Sequence, residues 1–274
     1  MNNTLVKTIG KLINTASYLS PSYAAKIAVD LFSTPRKGKL HTEELKYLKS
    51  AKQKTFVYDG INIHTYQWQG ANKTILLVHG WESNTYRWND LIELLQAEDY
   101  NIVALDAPGH GNSGHKTFNA VLYSECINMV AQEFKPDVII GHSIGGTASA
   151  LATNNNKLPI EKLIMLGAPS NFDEVIENYV NIMGYNKRVI KAMNDYYMKH
   201  FGKLPSFYAF KNFSEHITAE GLIIHDKKDR IISYRDALQI SKYYKNSKLV
   251  KTQGFGHGLK NEIVYNHILE FLNA

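Results

Sequence analysis

The sequence predicts an α/β fold in which a mostly parallel sheet is covered by helices on both faces. Short apolar runs of strand length recur along the chain, and longer segments of helical periodicity separate them. Near-continuous apolar strands are typical of parallel sheets that are buried on both faces. A third feature, an interval rich in aromatic residues but without strands, indicates a helical insertion between two strands of the sheet.

The first fifty residues have helical character, with one break at Ser20-Pro21 and a second at residues 34–38. The second break combines a proline with a glycine, so it marks the predicted joint between a helical leader and the core. Apolar residues and lysines alternate over residues 5–13 at helical spacing, which indicates a weakly amphipathic helix. We expect this helix to dock on the core; contact with a membrane surface is the alternative, and we do not expect it.

After the joint, Asp59-Gly60 lies between two alternating runs and predicts a hairpin over residues 55–66. The predicted buried strands are residues 74–78, 101–105, 136–140, 163–166, 221–225 and 247–250, and the clearest helices between them are 88–97 and 120–134. The predicted organisation is a helical leader (1–50) that packs on the core, a core in two parts (51–169 and 217–274), and a helical cap insertion (170–216).

Composition narrows the class of protein further. A chain of 274 residues can form one large α/β domain, and its net charge of +6 is spread over scattered lysines. This pattern indicates a solvated basic surface, and we expect no nucleic-acid partner. No stretch approaches the length of a transmembrane helix. The single cysteine, Cys126, cannot form an internal disulfide, which agrees with a reducing compartment, and we predict a cytoplasmic location.

The most informative motif is Gly-His-Ser-Ile-Gly at residues 141–145, which follows an apolar strand and precedes a helix of small residues. This order of strand, sharp turn and helix is the context in which a serine hydroxyl is raised as a nucleophile. We expect the glycines beside Ser143 to remove steric clashes and to permit unusual dihedral angles. The alternative is that Ser143 only caps the helix.

A serine nucleophile needs a general base, and the base needs an orienting acid. Two loops at the ends of late strands supply candidates. One loop contains Asp226 and Asp229, and the other contains His257 between glycines. Open parallel sheets place their sites at the carboxyl ends of strands, so we expect these loops to meet near Ser143.

The tetrahedral intermediate of such a reaction also needs hydrogen-bond donors. One predicted donor is the backbone N–H of Ile144, at the start of the helix, where the helix dipole adds to it. The other should come from the loop after the first buried strand, and we select the N–H of Trp81 in His79-Gly80-Trp81.

From about residue 55 onward, the chain resembles members of the α/β-hydrolase superfamily. The matching pieces occur in the order typical of that superfamily: His79-Gly80, then a D-x-P-G-x-G-x-S segment at residues 106–113, then residues 141–146, then Asp229 and His257. The resemblance implies hydrolysis of an ester, a thioester or a related acyl bond. The superfamily also contains carbon–carbon hydrolases and perhydrolases, and an idle member that only binds a ligand is a further alternative.

The resemblance also favours Asp229 over Asp226 as the acid, because it places the acid just before an apolar pair and Ser233. The implied catalytic residues are therefore Ser143, Asp229 and His257. Serine at position 143 disfavours dehalogenases, which resemble this family but carry an aspartate nucleophile there. The resemblance implies that residues 106–113 shape the floor near the site, and we expect Asp106 to hold this loop.

The remaining predictions concern ligands. We select Trp81, His142, Tyr179 and Met183 as candidate substrate contacts. The aromatic and methionine side chains of the insertion are interpreted either as an apolar acyl pocket or as ordinary core. We expect a small-molecule acyl substrate, no cofactor and no metal, because the histidines and carboxylates lack the spacing of a ligand set. The sequence leaves the oligomeric state open.

Overall fold

A computed structural model describes residues 3–274, and these residues group into two units. The helical unit comprises the chain up to Thr34 together with Asn171–Asn212. The sheet unit comprises Pro35–Ser170 and Phe213–Ala274. Residues 35–50, which the sequence analysis assigned to the leader, therefore lie in the sheet unit.

Over residues 3–274 the structure contains one sheet of eight strands, and all of them belong to the sheet unit. The strands are β1 (Lys52–Tyr58), β2 (Ile61–Trp68), β3 (Asn72–Val78), β4 (Tyr100–Leu105), β5 (Val138–His142), β6 (Lys162–Leu166), β7 (Glu220–Asp226) and β8 (Ser247–Thr252). Their order across the sheet is β1-β2-β4-β3-β5-β6-β7-β8. The first two strands form the predicted antiparallel hairpin, and β2 also pairs antiparallel with β4. All other pairs are parallel, so the predicted fold class is confirmed.

The helices are α1 (Asn3–Leu19), α2 (Pro21–Ser33), α3 (Thr42–Leu48), α4 (Asn89–Ala97), α5 (Ala120–Phe134), α6 (Ile144–Asn156), α7 (Asp173–Met183), α8 (Lys187–Phe201), α9 (Tyr234–Tyr243) and α10 (Glu262–Asn273). The helix predicted over residues 120–134 is α5, and the break predicted at Ser20-Pro21 separates α1 from α2. The proline stands at the first turn of α2, where its missing N–H costs no hydrogen bond. No helix within residues 3–274 has both the length and the apolar character that a membrane crossing requires.

The core of the sheet unit follows from the alternation of side chains along its strands. Alternate residues of the central strands share one cluster with buried side chains of α4 and α10; examples are Ile75 and Leu77 in β3 and Ile140 in β5. The residues between them, such as Leu76 and Ile139, are equally buried and point to the other face. Both faces of the sheet are therefore apolar and covered, as the near-continuous apolar runs predict.

The helical unit has its own core. Apolar side chains of α1 and α2 form one buried cluster with those of α7 and α8. Asn14 of α1 ties the two segments together, because its side-chain N–H donates to the carbonyl of Gly184 at 2.8 Å and its side-chain oxygen accepts from the backbone N–H of Asn186 at 2.9 Å. The leader thus has a specific partner in the chain, the insertion that follows β6.

Gly10 of α1 marks the closest approach inside this unit. A Cβ added at Gly10 would lie 1.7 Å from the carbonyl oxygen of Met183, and that backbone atom cannot move aside as a flexible side chain could. We expect Gly10→Ala to lower the free energy of unfolding by about 1–3 kcal/mol, as overpacking in a close contact does. Thermal unfolding followed by circular dichroism measures this effect, with Thr15→Ala on the exposed side of α1 as the control. A Gly10→Ala variant as stable as the control would contradict the described contact.

Candidate active site

Ser143 stands at the turn between β5 and α6, in a backbone conformation that L-residues rarely adopt. Its φ and ψ are 54° and −131°. Two backbone hydrogen bonds fix this turn. The N–H of Ser143 donates to the carbonyl of Leu166 at 2.7 Å, and the carbonyl of Ser143 accepts from the N–H of Gly146 at 2.9 Å. Within the described chain the Ser143 side chain makes no capping hydrogen bond to α6. The alternative of a simple capping serine is therefore not supported, and the strained residue is a candidate for function.

The glycines of the motif have a different role from the one expected. Neither Gly141 nor Gly145 has a positive φ; the unusual dihedral angle belongs to Ser143 itself. A Cβ at Gly141 would lie 2.5 Å from Cα of Gly146, and one at Gly145 would lie 2.4 Å from the carbonyl oxygen of His79. The prediction that these glycines remove clashes is confirmed, and the prediction that they supply unusual dihedral angles is wrong.

His257 connects Ser143 to Asp229. Its Nε2 lies 3.0 Å from Oγ of Ser143, and its Nδ1 lies 2.7 Å from Oδ2 of Asp229. The three residues follow β5, β7 and β8, so they meet at the carboxyl ends of parallel strands. With Nδ1–H donating to the carboxylate, Nε2 is free to accept the proton of the serine hydroxyl. This arrangement can deprotonate Ser143 as it attacks an electrophile.

The Asp229 carboxylate is fully buried and is held from both sides. Its Oδ1 accepts hydrogen bonds from the backbone N–H groups of Ile231 and Ile232 at 2.8 and 3.0 Å. Burial alone would raise its pKa, but hydrogen bonds from His225, His257 and these two amides outweigh burial and hold the pKa of Asp229 well below its usual value. The carboxylate therefore remains charged and can stabilise a protonated His257.

Asp226, the competing candidate for the acid, supports the loops instead. Its Oδ1 accepts from the N–H of Lys228 at 2.8 Å, and its Oδ2 accepts from the N–H of Phe255 at 2.9 Å and from the hydroxyl of Thr252 at 3.0 Å. These bonds join the end of β7 to the segment that leads to His257. Of the two candidates, Asp229 is the carboxylate within hydrogen-bond distance of His257, and its role as the orienting acid stays a prediction.

Two side chains that the sequence analysis did not select support this group. His225 is completely buried at the end of β7, with Nε2 3.0 Å from the carbonyl of Ile232 and 3.4 Å from Oδ2 of Asp229. Arg87 is also buried, and its Nη2 donates to the carbonyl of Gly258 at 2.8 Å, next to His257. Burial lowers the pKa of Arg87 to about 10. His225 could have been noticed in the sequence, because it is a polar residue near the end of an otherwise apolar strand. Arg87 has no comparable sequence context.

His142 also holds the loop that carries His257. Its Nε2–H donates to the backbone carbonyl of His257 at 2.8 Å, and among residues 3–274 its buried Nδ1 has no hydrogen-bond partner. Burial holds the pKa of His142 well below its usual value, so the ring is neutral. His142 thus anchors the backbone of His257, and its contact with substrate stays a prediction.

The loop that carries Trp81 approaches Ser143 closely. A Cβ at Gly80 would lie 2.9 Å from Cβ of Ser143. His79 fixes this loop, because its Nδ1–H donates to the carbonyl of Gly80 at 2.7 Å and its Nε2 accepts from the N–H of Ala107 at 2.9 Å. Burial lowers the pKa of His79 to about 4, so it remains a neutral structural link.

The Trp81 ring packs against the rings of His110 and Phe118, with centroids 5.4 and 5.3 Å away. The neighbouring 106–113 loop is held as predicted, since Asp106 accepts from the N–H groups of Thr85 and Asn112, each at 2.9 Å.

Ile144 is the first residue of α6, where a backbone N–H has no partner within the helix. The N–H groups of Trp81 and Ile144 thus belong to two segments that adjoin Ser143, and their role as oxyanion donors stays a prediction.

The other two predicted substrate contacts lie in the helical unit. The Tyr179 hydroxyl donates to the carbonyl of Ala28 at 2.8 Å and lies 3.0 Å from the hydroxyl of Tyr185, and Met183 is buried in the cluster shared with α1. These contacts agree with the core interpretation that the sequence left open, and contact with substrate stays a prediction. Over the described residues, no group of three or more histidine, cysteine or acidic side chains is placed to hold a metal ion.

Comparison with known proteins agrees with this architecture. A family model described as alpha/beta hydrolase fold matches residues 73–191. The chain is 22% identical to the uncharacterized hydrolase YugF of Bacillus subtilis, over 79% of this chain and 96% of the relative. It is 25% identical to a serine hydrolase-like protein of Danio rerio, over 74% of this chain but only 63% of that longer protein.

Solved structures give the same result for the fold. A thioesterase domain from the curacin biosynthetic pathway superposes with a TM-score of 0.62 at 16% identity, covering 82% of this chain and 99% of that domain. Mouse alpha/beta hydrolase domain-containing protein 10 superposes with a TM-score of 0.62 at 15% identity, covering 81% and 97%. At such identities the likeness concerns the fold alone. Together with the matching family model and the strand order, it shows that the chain has the α/β-hydrolase fold.

Proposed function

We propose that this protein is a serine hydrolase that cleaves a carboxylic ester or thioester of a small to medium apolar acyl group. The observation that carries the proposal is the continuous hydrogen-bonded line from Ser143 through His257 to the buried Asp229 carboxylate. The strained backbone of Ser143 supports it, because strain of this kind is retained where a reactive side chain must be presented. The names of the serine hydrolase-like relatives agree with this activity.

In the proposed reaction, Oγ of Ser143 attacks the substrate carbonyl while His257 Nε2 takes the hydroxyl proton. The ionised Asp229 holds the imidazole in the correct tautomer and stabilises its cation. The N–H groups of Trp81 and Ile144 bind the developing oxyanion. His257 then gives the proton to the departing alcohol or thiol, which leaves an acyl-serine. A water molecule, deprotonated by His257, attacks this ester, and the acid product and free Ser143 are released.

Two readouts on the purified protein test the proposal together. Hydrolysis of p-nitrophenyl esters from acetate to long acyl chains should show cleavage with an optimum at short or medium length. A fluorophosphonate probe should label the folded protein, and peptide mass spectrometry should find the label on Ser143. Failure of both would remove the case for acyl hydrolysis. Labelling without ester cleavage would redirect the proposal to a different bond, such as the carbon–carbon bond of a vinylogous diketone.

The proposal places the protein in the cytoplasm, where reducing conditions suit its single cysteine. Cys126 is free and buried, and burial raises the pKa of its thiol to about 12, so it is an unreactive core residue. The proposed reaction uses only side chains, two backbone N–H groups and water, so it requires no cofactor or metal. We expect the substrate to be a small acyl compound.

His225 provides a prediction about the support of the acid. In His225→Leu both Asp229 and the carbonyl of Ile232 lose their contact with Nε2, and we expect kcat/KM to fall by about tenfold, as loss of a hydrogen bond to a charged group does. His225→Gln retains a donor at similar reach and should stay within about threefold of wild type. Ester hydrolysis measures both variants, and thermal unfolding confirms that they are folded. Equal activity of His225→Leu and wild type would show that Asp229 needs no donor from β7.

A further inference from the structure

Exposed apolar side chains are concentrated in the helical unit. Of fifteen large apolar side chains exposed among residues 4–274, ten lie in this unit, which contains little more than a quarter of the chain. Single exposed apolar residues are normal on protein surfaces, but a concentration of this kind marks an interaction surface. The question is therefore what the helical unit contacts.

Three exposed leucines form a stripe along one side of α1, with the exposed Thr8 and Thr15 between them. Leu5, Leu12 and Leu19 are 52%, 65% and 91% exposed, and they are spaced seven residues apart, so they lie on one side of the helix. The stripe is about 21 Å long, given the rise of an α-helix. The buried side of α1 is different: Gly10 and Ile13 pack inside the helical unit. The helix thus has one apolar face for packing and a second apolar edge that remains in solvent.

Aromatic and basic side chains lie at the other edge of the exposed face of α1. Lys7, Lys11 and Tyr18 are exposed roughly 80–160° around the helix from the three leucines. Tyr18 and Tyr23, at the junction of α1 and α2, are 69% and 60% exposed, and the Arg188 guanidinium lies 4.9 Å from the centre of the Tyr18 ring. Apolar side chains at one edge of an exposed helix face, with tyrosine and cationic side chains at the other, are typical of helices that lie at a membrane–water interface.

The charge of the helical unit indicates the kind of surface it would meet. Its two segments contain nine Lys and Arg residues and five Asp and Glu residues, so this unit carries four of the six net positive charges of the chain. A basic surface of this kind is attracted to anionic lipid headgroups. A second copy of the same face would instead bring like charges together, which disfavours a symmetric dimer through α1.

We propose that the outer edge of α1, with the α1–α2 junction, binds the surface of an anionic lipid bilayer. The three leucines enter the boundary between headgroups and acyl chains, and the long side chains of Lys7 and Lys11 reach the phosphates from the other edge of the exposed face. The sequence analysis expected this helix to dock on the core and did not expect contact with a membrane. In the structure the buried face of α1 packs with α2, α7 and α8, and the proposal concerns the exposed face. Docking within the protein and contact with a bilayer therefore use different sides of one helix.

Flotation of the full-length protein with lipid vesicles tests this proposal. Wild type should bind vesicles of phosphatidylglycerol and phosphatidylcholine, and it should bind pure phosphatidylcholine at least about tenfold less well. The triple variant Leu5→Ser, Leu12→Ser, Leu19→Ser should lose at least about tenfold in binding to the anionic vesicles. The matched control replaces three exposed apolar residues of the sheet unit, Val57→Ser, Leu238→Ser and Ile263→Ser, and should bind like wild type.

A second variant separates charge from apolar contact. Lys7→Gln with Lys11→Gln should bind anionic vesicles roughly tenfold less well than wild type and should bind neutral vesicles unchanged. Equal binding of wild type and the leucine variant, or equal losses in the sheet-unit control, would overturn the proposal. So would a wild-type dimer in size-exclusion chromatography with light scattering that the leucine substitutions convert to a monomer, because the stripe would then join two copies. Vesicle binding is measured without hydrolysis, so its failure would leave the proposed enzymatic function untouched.

Discussion

Replacement of Ser143 by alanine is expected to lower kcat for any cleaved ester by roughly a thousandfold or more, because the acyl-enzyme can no longer form. The hydroxyl makes a 3.0 Å contact with His257, and the backbone of the turn is fixed by hydrogen bonds that do not involve the side chain. The variant should therefore fold normally and lose its chemistry. Initial rates with the best p-nitrophenyl ester measure the loss, and the same variant should not react with a fluorophosphonate.

Ser124→Ala is the matched control. Ser124 is also completely buried, and its hydroxyl only donates to the carbonyl of Val121 one turn back in α5. Its removal should leave kcat within about twofold of wild type, as for a substitution outside the site. If Ser143→Ala retained the turnover of this control, Ser143 would not be the nucleophile and the acyl-enzyme route would be wrong.

The sheet could be predicted from sequence because its evidence is local. Each buried strand is an apolar run bounded by turn residues, and the runs around residues 74–78 and 163–166 lie inside β3 and β6. The Gly-His-Ser-Ile-Gly motif was informative for the same reason, since strand, turn and helix are contiguous there. The observed ends of several strands and helices differ from the predicted ends by a few residues, because capping and hydrogen bonding determine them more finely than periodicity does.

Other features depend on contacts between distant segments, and the sequence could not provide them. The periodicity of α1 showed that one face packs, but its partners α7 and α8 come about 160 residues later. Asp226 and Asp229 look alike in sequence and differ only in what surrounds them in space. The positive φ of Ser143 was assigned to the flanking glycines because glycine is the usual residue there, whereas the fixed turn imposes it on the serine.

Asp229→Asn is the second substitution with a large expected effect, and the hydrogen bonds around it explain why. Oδ1 accepts from two backbone N–H groups, those of Ile231 and Ile232, so the carbonyl oxygen of an asparagine must take that position. Its amide nitrogen then faces His257 Nδ1 and can only donate. This forces the proton of His257 onto Nε2, which faces the Ser143 hydroxyl. Nε2 can then no longer accept the hydroxyl proton, and we expect kcat to fall by about ten-thousandfold.

Asp226→Asn tests whether this loss is specific to the tautomer of His257. Asp226 accepts hydrogen bonds from Phe255 and Thr252 and does not touch the imidazole, so its replacement should lower the thermal stability more than kcat. Similar losses of kcat in Asp226→Asn and Asp229→Asn would mean that loop geometry, and not the charge and tautomer of the Asp229–His257 pair, limits the reaction.

Stability should also depend on pH in a defined direction. The pKa of Asp229 is depressed in the folded state, so the ionised carboxylate stabilises the fold above the pKa of about 4 that it has in the unfolded chain. This stabilisation is lost as the pH falls below that value. The Tm difference between wild type and Asp229→Asn should therefore shrink on acidification.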